Sequence, residues 1–308
     1  MRNIAILGAT GYIGKSLVYR LSGQKGDKFF LFARSQRKLQ SSLQIIDKNP
    51  VFTTRSFQEF STGRYDVIIN CIGIGNPKQR KEAGIDIFQV TEKFDNLVLK
   101  YLQNHPDTLY INLSSGAAYG NKIEKPAKMA SRSSIAANAL DSSDFYAIAK
   151  INSEAKHRAL SDFNIVDIRI FSFFSRFIDL SSGYLMGDIV YALQQQKNLI
   201  TSSDDIIRDY IGAAELWDLM KLIMKKGEIN NAFDIYSVKP VSKFALLRFL
   251  KKKYGLQYSI MKIPKEQISI SIKNQYYSKN RKARDIGYLP KQTSLEIIDN
   301  EIKHCLQS

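Results

Sequence analysis

Short apolar runs alternate along this chain with longer stretches in which apolar residues recur at helical spacing. Such runs are typical of buried strands, and the longer stretches are typical of amphipathic helices. The predicted strands are Asn3–Leu7, Lys28–Ala33, Val51–Thr54, Asp66–Cys71, Thr108–Leu113, Ile165–Phe171, Ala232–Ser237 and Gln257–Ile263. The predicted helices are Tyr12–Leu21, Gln36–Ile46, Ile85–Leu102, Phe145–Leu160, Gly183–Gln196, Ala214–Met224 and Ser242–Tyr254. Because strands and helices alternate, the pattern predicts an α/β fold built on a parallel sheet.

The alternation becomes less regular after the sixth strand, which indicates two parts of unequal size. We predict a larger domain over residues 1–171, to which residues 205–237 return. Residues 172–204 and 238–308 are predicted to form a smaller C-terminal α/β lobe that binds the substrate.

The composition is that of an ordinary globular protein, with 44% hydrophobic and 24% charged residues. No apolar run approaches the ~20 residues that span a bilayer, so no membrane span is expected. The short N-terminal apolar stretch leads into a glycine loop, unlike a signal peptide, so a cytoplasmic protein is expected. The two cysteines and three histidines are scattered, which predicts neither a disulfide framework nor a metal site.

The formal net charge of +16 is the unusual bulk property. Such a charge attracts polyanions such as nucleic acid, anionic lipid or a phosphorylated metabolite. The alternative is a lysine-rich solvated surface. The local basic clumps, Lys78–Lys81, Lys251–Lys253 and Lys279–Arg284, lack the interleaved aromatic residues of a single-strand binding surface. We therefore expect no nucleic-acid partner.

A glycine-rich loop lies between the first strand and the first helix, with the spacing G-x-x-G-x-x-G. Gly8 permits a tight turn, Gly11 permits close approach of a pyrophosphate, and Gly14 permits close packing of helix on strand. The helix N-terminus then offers free N–H groups to the phosphates. The sequence thus predicts a Rossmann fold, a doubly wound parallel sheet that binds a dinucleotide, although such a loop can also be a purely structural turn. The loop residues expected at the cofactor are Gly8, Thr10, Gly11, Tyr12, Ile13 and Gly14.

Arg34 follows the second predicted strand, where dinucleotide folds place an acidic residue for the ribose 2′-hydroxyl or a nearby arginine for a 2′-phosphate. This chain reads Phe-Ala-Arg-Ser-Gln-Arg over residues 32–37, with no carboxylate. Guanidinium groups bind phosphate bidentately. We therefore predict NADP(H) as the cofactor rather than NAD(H), bound by Arg34, Ser35 and Arg37. The alternative is that Arg34 is an exposed residue without a role.

Tyr146 and Lys150 stand four residues apart on a predicted helix, so that the phenol and the ammonium share one face. A nearby cation favours the phenolate, while the neutral phenol can donate a proton to a carbonyl oxygen during reduction. Ser114 and Ser115 end the fifth strand, where hydroxyls face the ligand crevice of an open α/β sheet. Either serine could hold a substrate oxygen, and ordinary turn chemistry is the alternative. The order of loop, serines, tyrosine and lysine favours a catalytic set.

With these motifs the chain resembles the extended short-chain dehydrogenase/reductase superfamily, in its NAD(P)-dependent nucleotide-sugar epimerase, dehydratase and reductase branch. The segments that carry the resemblance are GATGYIG from Gly8, NCIGIG from Asn70, SSGAAYG from Ser114, YAIAK from Tyr146 with Glu154 beyond it, RDYIGAAEL from Arg208 and NRKARDIGYLP from Asn280. They are spread over nearly the whole chain. The resemblance implies an enzyme of nucleotide-sugar metabolism, as in polysaccharide biosynthesis.

The resemblance also implies roles for individual residues. Ser115 is the catalytic serine, Tyr146 the acid/base, and Lys150 its support and a ligand of the nicotinamide ribose. Ile72 and Gly73 line the adenosine side of the cofactor. Toward a nucleotide-sugar substrate the implied residues are Ser115, Ser172 and Arg208, the last facing the diphosphate.

Departures from the branch narrow the implied reaction. The 4,6-dehydratases carry an acidic pair where this chain has Gly116 and Ala117, and GDP-fucose synthase has a cysteine at the latter position. The asparagine turn after the sixth strand is replaced by Ser172 and its neighbours. Since Arg34 favours an exchangeable NADPH, we predict a reductase of a nucleotide-linked keto-(deoxy)sugar. The alternatives are a 4-epimerase that uses bound NAD(P) and a non-catalytic dinucleotide sensor or nucleic-acid-associated protein.

Relatives pair two helices across a two-fold axis, which predicts a homodimer through Ile85–Leu102 and Phe145–Leu160. The first helix carries an apolar stripe made of Ile87, Val90, Phe94, Leu97, Val98 and Tyr101. The alternative is that this stripe packs on the sheet of its own chain.

Overall fold

A seven-stranded parallel sheet forms the centre of the larger part of the molecule, within the residues that the computed structural model describes: 1–45, 52–120, 125–261 and 274–307. Its strands are β1 (Asn3–Leu7), β2 (Lys28–Phe32), β3 (Phe52–Arg55), β4 (Val67–Asn70), β5 (Leu109–Ser115), β6 (Ile165–Ile170) and β11 (Asn230–Asp234). Their spatial order is β3-β2-β1-β4-β5-β6-β11. From β1, successive strands are added first toward one edge of the sheet and then, starting with β4, toward the other edge, as in a Rossmann sheet. The predicted fold class is confirmed.

The central strand β1 is apolar from its second residue onward because its side chains are buried on both faces of the sheet. Ile4 and Ile6 point into one hydrophobic core, while Ala5 and Leu7 point into another on the opposite face of the sheet. All four side chains are fully buried. A parallel strand covered on both faces needs a continuous apolar run, since neither face meets water.

Helices cover both faces of the sheet. They are α1 (Tyr12–Leu21), α2 (Gln36–Ile45), α3 (Pro77–Ala83), α4 (Asp86–Asn104), α5 (Ser142–Ala159) and α7 (Ala213–Ile223). On one face α1 packs on α7, whose Trp217 joins the core around Ile4 and Ile6. On the other face α4 packs on α5, and Val98 of α4 joins the core around Ala5 and Leu7.

A second, smaller core lies between α6 (Leu185–Gln194), α8 (Lys243–Tyr254) and α9 (Ser294–Cys305), with Ile189, Leu247 and Ile298 at its centre. Short strands connect these helices. Strand β7 (Ser172–Phe173) pairs with β10 (Tyr210–Ile211), and β8 (Leu199–Ser202) pairs with β13 (Tyr258–Met261). Strand β9 (Ile207–Arg208) lies between β12 (Val241–Ser242) and β14 (Gln275–Tyr276).

The structure adds elements that the apolar pattern did not predict, chiefly α3, α9 and the two-residue strands. A single 3-10 turn at Lys282–Ile286 places Ala283 and Tyr288 in the larger core, although residues 238–308 were assigned to the smaller lobe. Ile46, Val51 and residues 262–263, at the ends of predicted elements, lie outside the described residues. No helix in the described ranges has both the length and the apolar character needed to cross a membrane.

The apolar stripe of α4 packs inside its own chain. Ile87, Phe94, Val98 and Tyr101 are buried, and the exposed positions of the helix include Glu92, Lys93 and Lys100. The stripe is therefore not available to contact a second copy of the chain, and it does not support the homodimer prediction. The homodimer stays a prediction that rests on the resemblance alone.

A network of buried charged groups lies between α4, α5 and the sheet. The imidazole of His157 on α5 is fully buried, with Nε2 2.7 Å from Asp95 of α4 and Nδ1 2.9 Å from Asp167 of β6. Asn112 of β5 donates to Asp167 at 2.8 Å. Burial alone would lower the pKa of His157, but its hydrogen bonds to the two carboxylates outweigh burial and raise the pKa to about 9. The network is therefore an imidazolium held between two carboxylates.

Candidate active site

The glycine loop after β1 has the geometry that a bound pyrophosphate requires. Gly8 has a φ of +79°, in the left-handed region, and a Cβ there would lie 2.9 Å from the side chain of Ile72. A Cβ on Gly14 would lie 2.1 Å from the carbonyl oxygen of Gly8, so only glycine lets α1 pack this closely on the loop. Gly11 precedes α1 as its N-cap, and no side chain caps the helix there.

These observations fit a dinucleotide. The open N-terminus of α1 presents backbone N–H groups and the positive end of the helix dipole to the crevice, and both favour phosphate. On the neighbouring strand, Asn70 orients the loop that carries Ile72 and Gly73 by accepting the Ile72 N–H at 3.0 Å. A Cβ on Gly73 would lie 3.7 Å from the Lys150 ammonium, so this loop and the predicted lysine border the same space.

The side chains of Tyr12 and Ile13 face the protein rather than the crevice. The Tyr12 hydroxyl accepts the backbone N–H of Ser175 at 2.9 Å, and its ring stands edge-on to Phe173. Ile13 packs against the larger core. Ser172 lies on β7 opposite Tyr210 and is half-buried. Thr10 is also half-buried. A contact of Tyr12 with the cofactor would therefore involve its backbone.

Arg34 follows the carboxyl end of β2, and Arg37 lies on the first turn of α2. Arg34 and Arg37 are exposed, and neither forms an ion pair within the described part of the chain. Ser35 accepts the Lys38 N–H at 3.2 Å and so caps the start of α2. The two guanidinium groups thus face solvent beside the cofactor crevice, at the position expected for a 2′-phosphate.

Tyr146 and Lys150 lie on the first turns of α5, which begins at a reciprocal cap between Asp141 and Asp144. Lys150 is buried and donates to the carbonyl oxygen of Leu113 on β5 at 2.8 Å. Its ammonium lies 5.7 Å from the centre of the Tyr146 ring. The helix cap and the bond to β5 together fix the pair at the carboxyl edge of the sheet.

The two serines at the end of β5 have different surroundings. Ser114 donates to Glu154 of α5 at 2.5 Å, and that carboxylate also pairs with Arg169 of β6. Ser115 accepts the Ala117 N–H at 3.1 Å and lies 3.3 Å from the hydroxyl of Tyr276. Ser114 is therefore part of a buried structural network, and Ser115 is the serine on the crevice side.

Three crevice residues were not predicted from the sequence: Tyr276 on β14, Tyr184 at the start of α6 and Arg80 on α3. The Tyr276 ring lies 5.0 Å from that of Phe171, and strand pairing sets it opposite Arg208. The Tyr184 hydroxyl donates to the carbonyl of Gly75 at 2.6 Å. Desolvation raises the pKa of Tyr184, and it raises that of Tyr276 to about 12. Both phenols therefore stay protonated near neutral pH. The only sequence signal for any of these three residues was the basic clump Lys78–Lys81, which contains Arg80.

Arg208 lies on the floor of the same crevice. Its guanidinium stands 5.6 Å from the centre of the Tyr276 ring and donates to the Ile207 carbonyl at 2.9 Å. Desolvation lowers the pKa of Arg208. The adjacent Asp209 accepts hydrogen bonds from Ser237 and Ser294. A half-buried guanidinium beside Tyr276 is suited to an anionic group of a ligand.

A family model described as NAD dependent epimerase/dehydratase family matches residues 4–238 of the chain. None of the curated proteins compared with the chain matches it. Solved structures match over nearly the whole length. The UDP-glucose 4-epimerase of Thermotoga maritima, solved with UDP-glucose, has a TM-score of 0.80 at 16% identity and covers 98% of each chain.

Two further structures agree with this match. The UDP-glucose-4-epimerase of Stenotrophomonas maltophila, with bound NAD and formylated UDP-arabinopyranose, has a TM-score of 0.81 at 15% identity and covers 99% of this chain and 98% of its own. The dTDP-glucose 4,6-dehydratase of Bacillus anthracis, in complex with NAD, has a TM-score of 0.79 at 14% identity and covers 100% and 97%. At these identities the likeness establishes the fold.

Proposed function

We propose that this chain, which belongs to the NAD-dependent epimerase/dehydratase family, reduces a keto group on a nucleotide-linked sugar with NADPH. The family membership confirms the resemblance inferred from the motifs, and it makes the protein a nicotinamide-dependent enzyme of the nucleotide-sugar epimerase/dehydratase type. Several of the structures that it matches were solved with NAD. The preference for NADPH and the direction of the reaction are our proposals.

The carrying observation is the pair of exposed arginines after β2. Arg34 and Arg37 stand where an NAD-binding fold uses a carboxylate to hold the ribose 2′-hydroxyl. A carboxylate would repel a 2′-phosphate, whereas guanidinium groups bind one bidentately. An enzyme that exchanges NADPH at each turnover performs net reduction.

The chain's own residues supply the rest of the reaction. Ser115 donates a hydrogen bond to the substrate carbonyl oxygen and so polarises the carbonyl group. Bound NADPH supplies the hydride. As the carbonyl carbon accepts it, the Tyr146 hydroxyl donates its proton to the oxygen, and the O–H bond of the product alcohol forms. Lys150, held by the Leu113 carbonyl, keeps a positive charge beside the phenolate until solvent returns the proton.

Dehydration is disfavoured by the packing after Ser115. A Cβ on Gly116 would lie 2.5 Å from the ring of Phe171, so no acidic side chain fits at that position. Ala117 is buried as well. The carboxylic acid that would help to expel water has no place in this turn.

A 4-epimerase is the second candidate. It is favoured by the matched structures, several of which are 4-epimerases, and the same serine, tyrosine and lysine would serve it. An epimerase returns the hydride to its substrate, so product forms with no net loss of reduced cofactor. Two assays therefore separate the candidates. A reductase consumes NADPH as it reduces a nucleotide-linked 4-keto sugar, whereas an epimerase with oxidised cofactor converts the corresponding 4-hydroxy sugar into its epimer without a lasting change in reduced-nicotinamide absorbance.

The cofactor proposal is tested by calorimetric titration with NADPH and NADH. Wild type should bind NADPH at least ~10-fold more tightly, about 1.4 kcal/mol, and Arg34→Ala should remove most of this preference. Arg64→Ala is the matched control, because Arg64 is exposed at the amino end of β4, on the opposite edge of the sheet. Equal affinity of wild type for the two cofactors would refute the proposal.

A further inference from the structure

Arg80 is a half-buried cation next to the proposed proton donor. Its guanidinium lies over the Tyr146 ring, 4.8 Å from the ring centre. Arg80 also acts electrostatically on Tyr184 and Tyr276. Both of these tyrosines come from the part of the chain that forms the substrate side of the crevice, so Arg80 faces the substrate rather than the glycine loop.

The helix that carries Arg80 is anchored to the smaller lobe. The Tyr184 hydroxyl donates to Gly75, just before α3, and the Lys78 N–H donates to the Ser182 carbonyl at 3.4 Å. The side chain of Asn76 caps the helix. These contacts hold Arg80 over the crevice without using its guanidinium.

The guanidinium itself has no ion-pair partner among the described residues. Withdrawing a charge partly from water is costly unless an opposite charge compensates it. The neighbouring cations Lys78 and Lys81 on the same helix are exposed to solvent, so Arg80 is the one of these three whose charge is partly buried. The missing counter-charge points to the ligand.

We propose that Arg80 binds a carboxylate on the sugar ring of the nucleotide-linked substrate, beside the carbon on which Tyr146 acts. The inference rests on the proposed function, which places that carbon at the Tyr146 hydroxyl. A guanidinium stacked on the ring of the proton donor lies within a sugar's width of that hydroxyl. A planar carboxylate, as in a uronic acid, matches the planar fork of arginine. Arg208 remains for the diphosphate, so the two guanidiniums bind the two anionic ends of one substrate.

The test compares nucleotide sugars that differ only in a carboxylate, UDP-glucose and UDP-glucuronic acid, together with the corresponding thymidine and guanosine pairs. Each is titrated into the full chain loaded with NADPH, and the series that binds is used. Wild type should prefer the acid by at least ~10-fold. Arg80→Met should abolish the preference by weakening the acid alone, and Arg80→Lys should restore part of it.

Lys81→Met is the matched control, since it removes the same charge from the same helix and reports any general attraction of an anion to this basic chain. It should keep the preference. Equal binding of the pair by wild type, or an equal loss of both ligands in Arg80→Met, would overturn the inference while leaving the proposed function standing. A loss of NADPH affinity in that variant would also overturn it, by assigning Arg80 to the cofactor. Failure of every nucleotide sugar to bind overturns the proposed function and this inference with it.

Discussion

His157 should make the stability of the protein fall steeply above neutral pH. Its imidazole is fully buried in the network between α4, α5 and the sheet. Nε2 lies 2.7 Å from the Asp95 carboxylate, and Nδ1 lies 2.9 Å from that of Asp167. Unfolding exposes the ring to water, where its pKa returns to the ordinary 6.5 from about 9 in the folded state. The folded protein therefore binds more protons than the unfolded chain between these two pH values.

The magnitude follows from linkage. Each pH unit between the two pKa values is worth ~1.36 kcal/mol, so the change from 6.5 to about 9 corresponds to about 3 kcal/mol of unfolding free energy. Because the folded pKa is the higher one, this contribution is fully present below pH 6.5 and is lost as the pH rises through 9. A loss of this size is large against the ~5–15 kcal/mol that stabilises a typical protein.

Urea unfolding at several pH values between about 6 and about 9.5 measures the effect. Wild type should lose about 3 kcal/mol over this range, and His157→Gln should lose little while being less stable at the acidic end. His304→Gln is the matched control, because His304 is exposed on α9 and its variant should retain the full slope. If wild type and His157→Gln give parallel curves, the imidazole is not charged in the folded state and the reasoning is wrong.

Two predictions concern the crevice. Tyr146→Phe removes the proton donor, so turnover should fall by ~10²–10⁴-fold with NADPH affinity unchanged. The control is Tyr191→Phe, at an exposed tyrosine of α6, which should leave turnover unchanged. A Tyr146→Phe activity within a few-fold of wild type would assign the proton to another group. Arg208→Ala removes a charge-assisted contact, so it should weaken nucleotide-sugar binding by ~10–100-fold in calorimetry and barely change the melting temperature. The exposed Arg248 on α8 provides the control substitution, and a lower melting temperature with an unchanged KM for Arg208→Ala would make that residue structural.

The sheet could be predicted from the sequence because its strands are buried on both faces. The runs Ile4–Leu7 and Val67–Ile69 are apolar because each contributes side chains to the hydrophobic cores on both faces of the sheet. Helix α9 was missed although Thr293 and Glu296 form a reciprocal cap, a signal that the sequence does contain. The two-residue strands β9 and β14 could not be predicted, since their pairing depends on tertiary contacts.

The site could be predicted only in part. Tyr146 and Lys150 were found because their chemistry and spacing lie within one helix. Tyr276 and Arg80 were not, since each stands in a different segment and reaches the crevice only through tertiary packing. The residue pattern alone left both serines open and the resemblance implied Ser115; the structure adds that Ser114 is bonded to Glu154.

The basic clumps show why charge density alone does not locate a site. Lys251–Lys253 form the last turn of α8, where cations are stabilised by the carbonyl end of the helix. The clump Lys279–Arg284 contributes to folding, since Arg281 stacks on Tyr236 with its guanidinium 4.0 Å from the ring centre. In Lys78–Lys81 only Arg80 turns toward the crevice. The three clumps look alike as sequence and differ in what lies beside them, so only the fold separates a helix cap, a structural stack and a ligand-facing charge.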